Sequence, residues 1–369
     1  MNISYRLIAN KVSTAEERPH CIAAGFDGFV DVLARPVKRI ENGERVFFST
    51  IEEFGSYITG KAGLSCSLDL YKAAEKAGGN MPIFASSLSS LGVSSHCVGA
   101  LGYPEPLDIF TGLGERVSLM GVAGAGSCTA LEFDDGKVMM GCNGDVDCLD
   151  FARLTERVGL AALRKWLSTT DGAAFLNWSE LPGATSIWKG MLEEVLPALG
   201  PMRDKWLILD LSDCSRRPDA EICEMLALMS QLNRYYRVVF SLNFNESMAI
   251  GRAIGKPGLD PAAAAAEIFR HTDIELLALH LLDGAYAANS RGVFHIPGCR
   301  VEKPKISTGG GDHFNAGVMW GLLCGLEDTE ALALACIMGS LYVLLGRSPS
   351  RQDIILELDK LSERNEHTA

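Results

Sequence analysis

The chain has 369 residues, 47% of them hydrophobic and 22% charged, with a formal net charge of −12. That length holds one large α/β domain with an accessory piece, or two domains, and needs no disulfide or metal staple to build a core. The acidic balance and the lack of a basic run exclude nucleic acid and anionic membrane as main partners, because each needs a concentrated positive face.

The eleven cysteines run from Cys21 to Cys336 with no Cys-x-x-Cys and no zinc-spaced cluster, which predicts buried, reduced thiols. The first nineteen residues are polar and lack an apolar h-region, and no later stretch reads as a membrane span, so the expected location is cytoplasmic.

In chain order, "CIAAGFDGFVDVL" reads as the first strand, broken by Gly25 and Gly28. Asn42-Gly43 between two strand-like runs predicts a hairpin, and Asp135-Gly136 predicts a second. Between them, Ile83, Leu88 and Leu91 fall at near-helical spacing before Gly92, and "HCVGALG" reads as a strand. From about Phe151, "AAFLNW", "WLILDLS", "VVFSLNFNES" and "IELLALHLL" are short apolar strands separated by helical spans. That alternation predicts a mostly parallel sheet with helices on both faces. The expected division is a core of residues 1–31, 63–123 and 147–369 with a β-sheet lid from 32–62 and 124–146.

Near the C-terminus, "STGGGDHFNAGVMWG" sets Gly309, Gly310 and Gly311 before Asp312. Ala316, Met319, Trp320 and Leu323 then recur at helical spacing. The glycines therefore sit just before a helix N-terminus, where free N–H groups and the helix dipole favour an anion. Taken alone, a glycine turn with an aspartate cap is a common way to start a helix.

The stretch "STGGGDHFNAGVM" resembles the C-terminal signature of the PfkB, or ribokinase-like, carbohydrate kinases. "FDGFVD", "GGNMPIFASSLSSLG" and "NFNE" are similar to three further family segments and follow in the family's order. The resemblance implies a ribokinase-like three-layer α/β/α fold. It also implies an ATP-dependent, magnesium-requiring kinase acting on a hydroxyl of a sugar-like molecule, with a homodimer formed through the lid. By the same resemblance Asp312 is the general base, Gly309, Gly310 and Gly311 form the anion hole, and Thr308 joins the nucleotide site. Asn243 and Glu246 are the implied magnesium and nucleotide residues. Asp27, Asp31, Gly78, Gly79, Asn80 and Asn177 are the implied sugar contacts. The first segment is one residue longer than the family's, which leaves Asp27 and Asp31 both open as its match. Asp210, Ser212 and Asp213 of "LDLSD" are weaker candidates for the same pocket.

Three departures stand out. Ile306 replaces a polar residue that binds a monovalent cation in some members, Ile83 replaces an Asn, and Leu279-His280-Leu281 replaces a Thr-x-Gly that frames the nucleotide. Two further readings stay open. One is a nucleoside kinase with Phe47, Phe48, Phe54 and Tyr57 as a slot for the base, and the other is a non-catalytic binding member. Arg35, Lys38, Arg216 and Arg217 are the cations that an already phosphorylated acceptor would need.

Overall fold

The computed structural model of the chain describes residues 3–14, 19–298, 300–306 and 308–368. The chain enters the sheet with β1 (Cys21–Gly25) and continues into β2 (Phe29–Glu41), β3 (Glu44–Phe47) and β4 (Leu70–Gly78). Next come β5 (Ser94–Gly99), β6 (Val117–Gly121), β7 (Gly126–Phe133) and β8 (Gly136–Cys142). The later strands are β9 (Gly172–Phe175), β10 (Trp206–Asp210), β11 (Arg237–Asn243) and β12 (Leu276–His280), closing with β13 (Gly284–Asn289) and β14 (Gly292–Pro297).

Nine of these form one sheet in the order β14-β13-β12-β11-β10-β9-β1-β5-β6. From β12 to β6 every pairing is parallel, and the β13–β14 hairpin adds an antiparallel edge. The apolar runs are continuous because both faces are buried. Ala23, Ala173, Leu207 and Val238 enter one core, while their neighbours Ile22, Ala174, Ile208 and Val239 enter the other. Helices such as Asp219–Leu232 and Pro261–Arg270 cover the first face. Asn80–Ser90, Gly310–Leu323 and Asp328–Leu345 cover the second.

The smaller sheet runs β3-β2-β7-β8, with β4 also paired to β2. Its own small core of Ala34, Phe48, Leu131 and Phe133 is covered by Phe54 and Tyr57 from the helix Ile51–Thr59. Both hairpins form. Asn42 and Gly43 turn the first with φ 51° and 82°, and Asp134-Asp135 turns the second, one position earlier than expected.

Several expectations need correction. The single strand expected from Cys21 is two, since β1 belongs to the large sheet and β2 to the small one. Residues 70–78 fall in the expected core segment 63–123, where no strand was expected, but as β4 they pair antiparallel with β2 from Phe29 to Pro36, so the small sheet extends to Gly78. The helix Asp328–Leu345 has the length and apolarity of a membrane span, contrary to the expectation. It packs in the core through Leu332, Leu334, Ile337 and Met338. The described cysteines are free, yet only Cys97 and Cys214 are buried, and Cys66, Cys142, Cys148 and Cys223 are exposed.

Candidate active site

The candidate residues gather at the carboxyl ends of the parallel strands. After β1 the chain builds outward to β5 and β6, then returns to β9 on the other side of β1. Such a reversal opens a crevice between the two strand ends, where ligands bind in open α/β sheets. Asp27 follows β1, Asn177 follows β9, and the Asn177 amide donates to Asp27 Oδ2 at 2.8 Å across the reversal.

Asp27 is fully buried and has further donors, the N–H groups of Asn80 at 2.7 Å and Met81 at 2.9 Å. These are the first N–H groups of the helix Asn80–Ser90, whose own N-cap position is Gly79, at φ 91° and without a capping side chain. Asp27 caps that helix from another segment. A Cβ on Gly79 would lie 2.7 Å from Asp27 Oδ2, so glycine is what lets the carboxylate in. Burial pushes Asp27 up to about 6 despite its hydrogen bonds. Asp31 lies on β2 above Gly78, and a Cβ there would fall 2.4 Å from its carboxyl carbon. Burial raises Asp31 too, and Lys76 and Lys137 oppose the rise.

The glycine run is part of the helix rather than a prelude to it. Gly309 is the N-cap at φ 88°, and Gly310 and Gly311 form the first turn of Gly310–Leu323. A Cβ on Gly309 would meet the Tyr342 hydroxyl at 3.0 Å, and one on Gly311 would meet His280 Cε1 at 3.4 Å. The His313 ring stacks on Tyr342 at 3.6 Å and joins the Gly309 carbonyl at 2.7 Å and Ser348 Oγ at 2.9 Å. Burial holds His313 at about 4, so the ring is neutral. Its Nδ1–H then donates to the carbonyl and Nε2 accepts from the serine, which fixes the peptide leaving Gly309.

Asp312 is 8% exposed, and its Oδ1 has no hydrogen-bond partner among the described residues. Burial, then the charges of Asp210 and Asp27, hold this carboxyl well above the usual range. Asp210, only a weaker candidate from sequence, ends β10 at the centre of the network. It accepts from Asn80 Nδ2 at 3.1 Å and from Asn315 Nδ2 at 2.8 Å. Asn315 escaped the sequence reading altogether; its signal was a polar residue three positions after Asp312 inside an apolar helix face. Asn177 and Ser212, which follow β9 and β10, both adopt positive φ, 59° and 60°. Such strain in non-glycine residues clusters at functional sites.

Asn243 and Glu246 form a capping box at the start of the helix Phe244–Ala253. Asn243 Oδ1 accepts from the Glu246 N–H, and Glu246 Oε2 accepts from the Asn243 N–H, each at 2.9 Å. The Asn243 amide also donates to Glu246 Oε1. Burial first, then Asp210, holds Glu246 well above the usual carboxylate range. Thr308 immediately precedes the Gly309 cap. At the departure from the family pattern, His280 packs on Phe314 at 4.9 Å, and burial keeps it neutral at about 4.

The lid aromatics do not form an open slot. Phe48 packs on Phe54 and Tyr57 at 5.3 Å each, and Phe47 lies between Tyr71 and Arg35. The four candidate cations are also engaged: Arg35 with Asp134, Lys38 with Glu53, Arg216 with Glu180, and Arg217 with Glu221 and the carbonyls of Trp178 and Leu181.

A model of the prokaryotic ketohexokinase family matches residues 9–361. Ketohexokinase of Haloferax volcanii is 26% identical over 335 residues, covering 89% of this chain and 88% of that protein. Ribokinase of Thermotoga maritima superposes with a TM-score of 0.63 at 15% identity, covering 92% of this chain and 100% of that one. A putative ribokinase II of E. coli in complex with ATP and Mg2+ gives 0.61 at 15% identity, covering 94% and 100%. At those identities the two structures establish the ribokinase-like fold, and the family match establishes more. The chain belongs to the prokaryotic ketohexokinase family and is a PfkB-type carbohydrate kinase.

Proposed function

We propose that the chain transfers the γ-phosphoryl group of ATP to a hydroxyl of a ketohexose, with Asp312 as general base and Gly309–Gly311 as the anion hole. The observation that carries this reading is a buried carboxylate with one oxygen free, in the first turn of a helix opened by glycines. Burial favours the proton on Asp312, which suits a group that must accept one from an alcohol. The first-turn N–H groups of the helix face the charge that moves with the phosphoryl group.

Asp31 rather than Asp27 is the acceptor-binding carboxylate in this reading. Asp27 spends its oxygens on three N–H donors, whereas Asp31 sits at the lid–core junction. Arg35, Lys38, Arg216 and Arg217 are engaged in ion pairs of their own, and the groups gathered around Asp312 are carboxyls and amides, although Lys76 and Lys137 lie near Asp31. The engaged cations favour an acceptor without a phosphate of its own, and the assay with fructose 6-phosphate decides it. The closed aromatic cluster of the lid weighs against a nucleoside.

Among the described residues no three His, Cys, Asp or Glu side chains converge as a metal site. Both Glu246 oxygens accept from Asn243, so the pair fits Mg2+ through its waters, with phosphate oxygens completing the shell. When bound, the ion would neutralise phosphate charge, and Glu246 with Asn243 would orient it at the end of β11. The same reading extends to a dimer through the lid, supported by the exposed Ile40, Leu70, Tyr71 and Met139 on that sheet.

The test is ATP consumption with Mg2+ against a panel of fructose, ribose, fructose 6-phosphate and adenosine. Turnover is expected with the ketohexose, and Asp312→Asn should lower kcat by about 10²- to 10⁴-fold with little change in KM. Full turnover in a folded Asp312→Asn protein removes the base assignment, and a preference for adenosine removes the ketohexose.

A further inference from the structure

Asp210 is 5% exposed and belongs to neither helix that it touches. Oδ1 accepts from Asn80 Nδ2 at 3.1 Å and from the Ser212 N–H at 3.0 Å, and Oδ2 accepts from Asn315 Nδ2 at 2.8 Å. Asn80 is the first residue of the helix that Asp27 caps, beside the acceptor groups. Asn315 lies three residues beyond Asp312 on Gly310–Leu323. One carboxylate thus joins the helix under the acceptor to the helix that carries the base.

The choice of residue is informative. A buried carboxylate is costly even when hydrogen-bonded, and a neutral amide of the same shape would avoid that cost. A carboxylate, however, accepts from donors on two sides and donates to none. Facing it, the Asn315 amide must present its nitrogen. Asn315 Oδ1 then has no partner among the described residues, although the residue is fully buried. The helix face is therefore oriented by its bond to Asp210.

We infer that Asp210 is a positioning residue: through Asn80 and Asn315 it holds the acceptor-binding helix and the base-bearing helix in one register, and so sets Asp312 against the acceptor hydroxyl. The inference rests on the assignment of Asp312 as base. A turn of the Gly310–Leu323 helix about its axis would swing Asp312 and Asn315 together. A misplacement of about 1 Å at a reacting group can cost on the order of a hundredfold in rate.

The experiment compares Asp210→Asn, Asn315→Asp and the exchange of both, each assayed for kcat, for KM of the sugar and of ATP, and for melting temperature, with Asp312→Asn in parallel. In Asp210→Asn the Asn315 amide either faces another amide nitrogen or turns over and leaves its own nitrogen unpaired, and in Asn315→Asp two carboxylates face each other. Each single variant should lose at least about tenfold in kcat, with KM for ATP unchanged. In Asp210→Asn the loss of a buried charge offsets the unpaired amide nitrogen, so its melting temperature should stay near the parent's. The exchange restores one donor facing one acceptor and should recover most of the lost kcat. Parental kcat in Asp210→Asn, an exchange no better than the single variants, or a kcat loss that simply follows melting temperature would each overturn the inference. If Asp312→Asn keeps full activity, the base assignment fails instead, and the two failures are told apart.

Discussion

Gly78 and Gly309 show how much of this site is made by atoms that are missing. The carboxylate of Asp31 occupies the space that a side chain at position 78 would fill. Gly78→Ala should therefore push Asp31 aside and raise KM for the sugar by about tenfold or more, while kcat at saturating sugar changes less; an unchanged KM would show that Asp31 does not touch the acceptor. Gly309→Ala meets both a left-handed backbone, at a cost of about 1–2 kcal/mol, and the Tyr342 hydroxyl. It should lower melting temperature, and kcat as well if the peptide that follows Gly309 is part of the proposed anion hole. At this scale the sequence motif located the glycines and Asp312, but it could not choose between Asp27 and Asp31. The choice depends on donors 53, 54 and 150 residues away from Asp27 in the chain, which no local pattern encodes.

Among the elements, the helix after β11 was legible as a motif and turned out to be secured by that same motif. Asn243 and Glu246 complete each other's backbone bonds, so Asn243→Ala should cost about 1 kcal/mol of stability as well as any loss in ATP affinity. Glu246→Gln keeps the shape of the cap but loses the charge. It should melt near the parent while requiring more Mg2+ for half-maximal rate, and an unaltered Mg2+ requirement would reduce the motif to a cap. β4 was the element missed. Its sequence, "LYKAAEKAG", is exposed along most of its length, so it has no alternation of apolar and polar residues, and its Ala, Lys and Glu favour helix by propensity. Only pairing with β2 makes it a strand.

Across the whole molecule, the nine-stranded sheet was readable because strands buried on two faces carry unbroken apolar runs, whereas the Asp210 network was not, because its members come from three distant segments. That network gives a distinctive pH response. Asp27, Asp210, Glu246 and Asp312 all have raised folded-state values, Asp27 about 6. A raised carboxyl contributes stability that is fully present below its unfolded value and is lost as pH rises through its folded value. His280 and His313, pushed down to about 4, act in the opposite sense, and their contribution is lost as pH falls from 6.5 toward 4. Between about pH 6 and 4 the Asp27 contribution therefore grows on acidification while that of the histidines is lost, and Asp27→Asn should lose melting temperature more steeply than the parent over that window. If Asp312 is the base, the rate should fall as pH is lowered through its raised value, since the group must be ionised to accept a proton. An unchanged slope in Asp27→Asn between about pH 6 and 4 would mean that this carboxyl is not raised in the fold.

The long second strand has one more implication. β2 leaves the core beside Asp27, carries Asp31 over the site and runs on into the lid, and β4 returns from the lid to Gly78, next to the helix that Asp27 caps. Both stalks of the flap thus pass through the residues proposed to contact the sugar. If Asp31 grips the acceptor as proposed, moving the flap and holding the sugar are coupled, and nucleotide hydrolysis without a sugar should be slow.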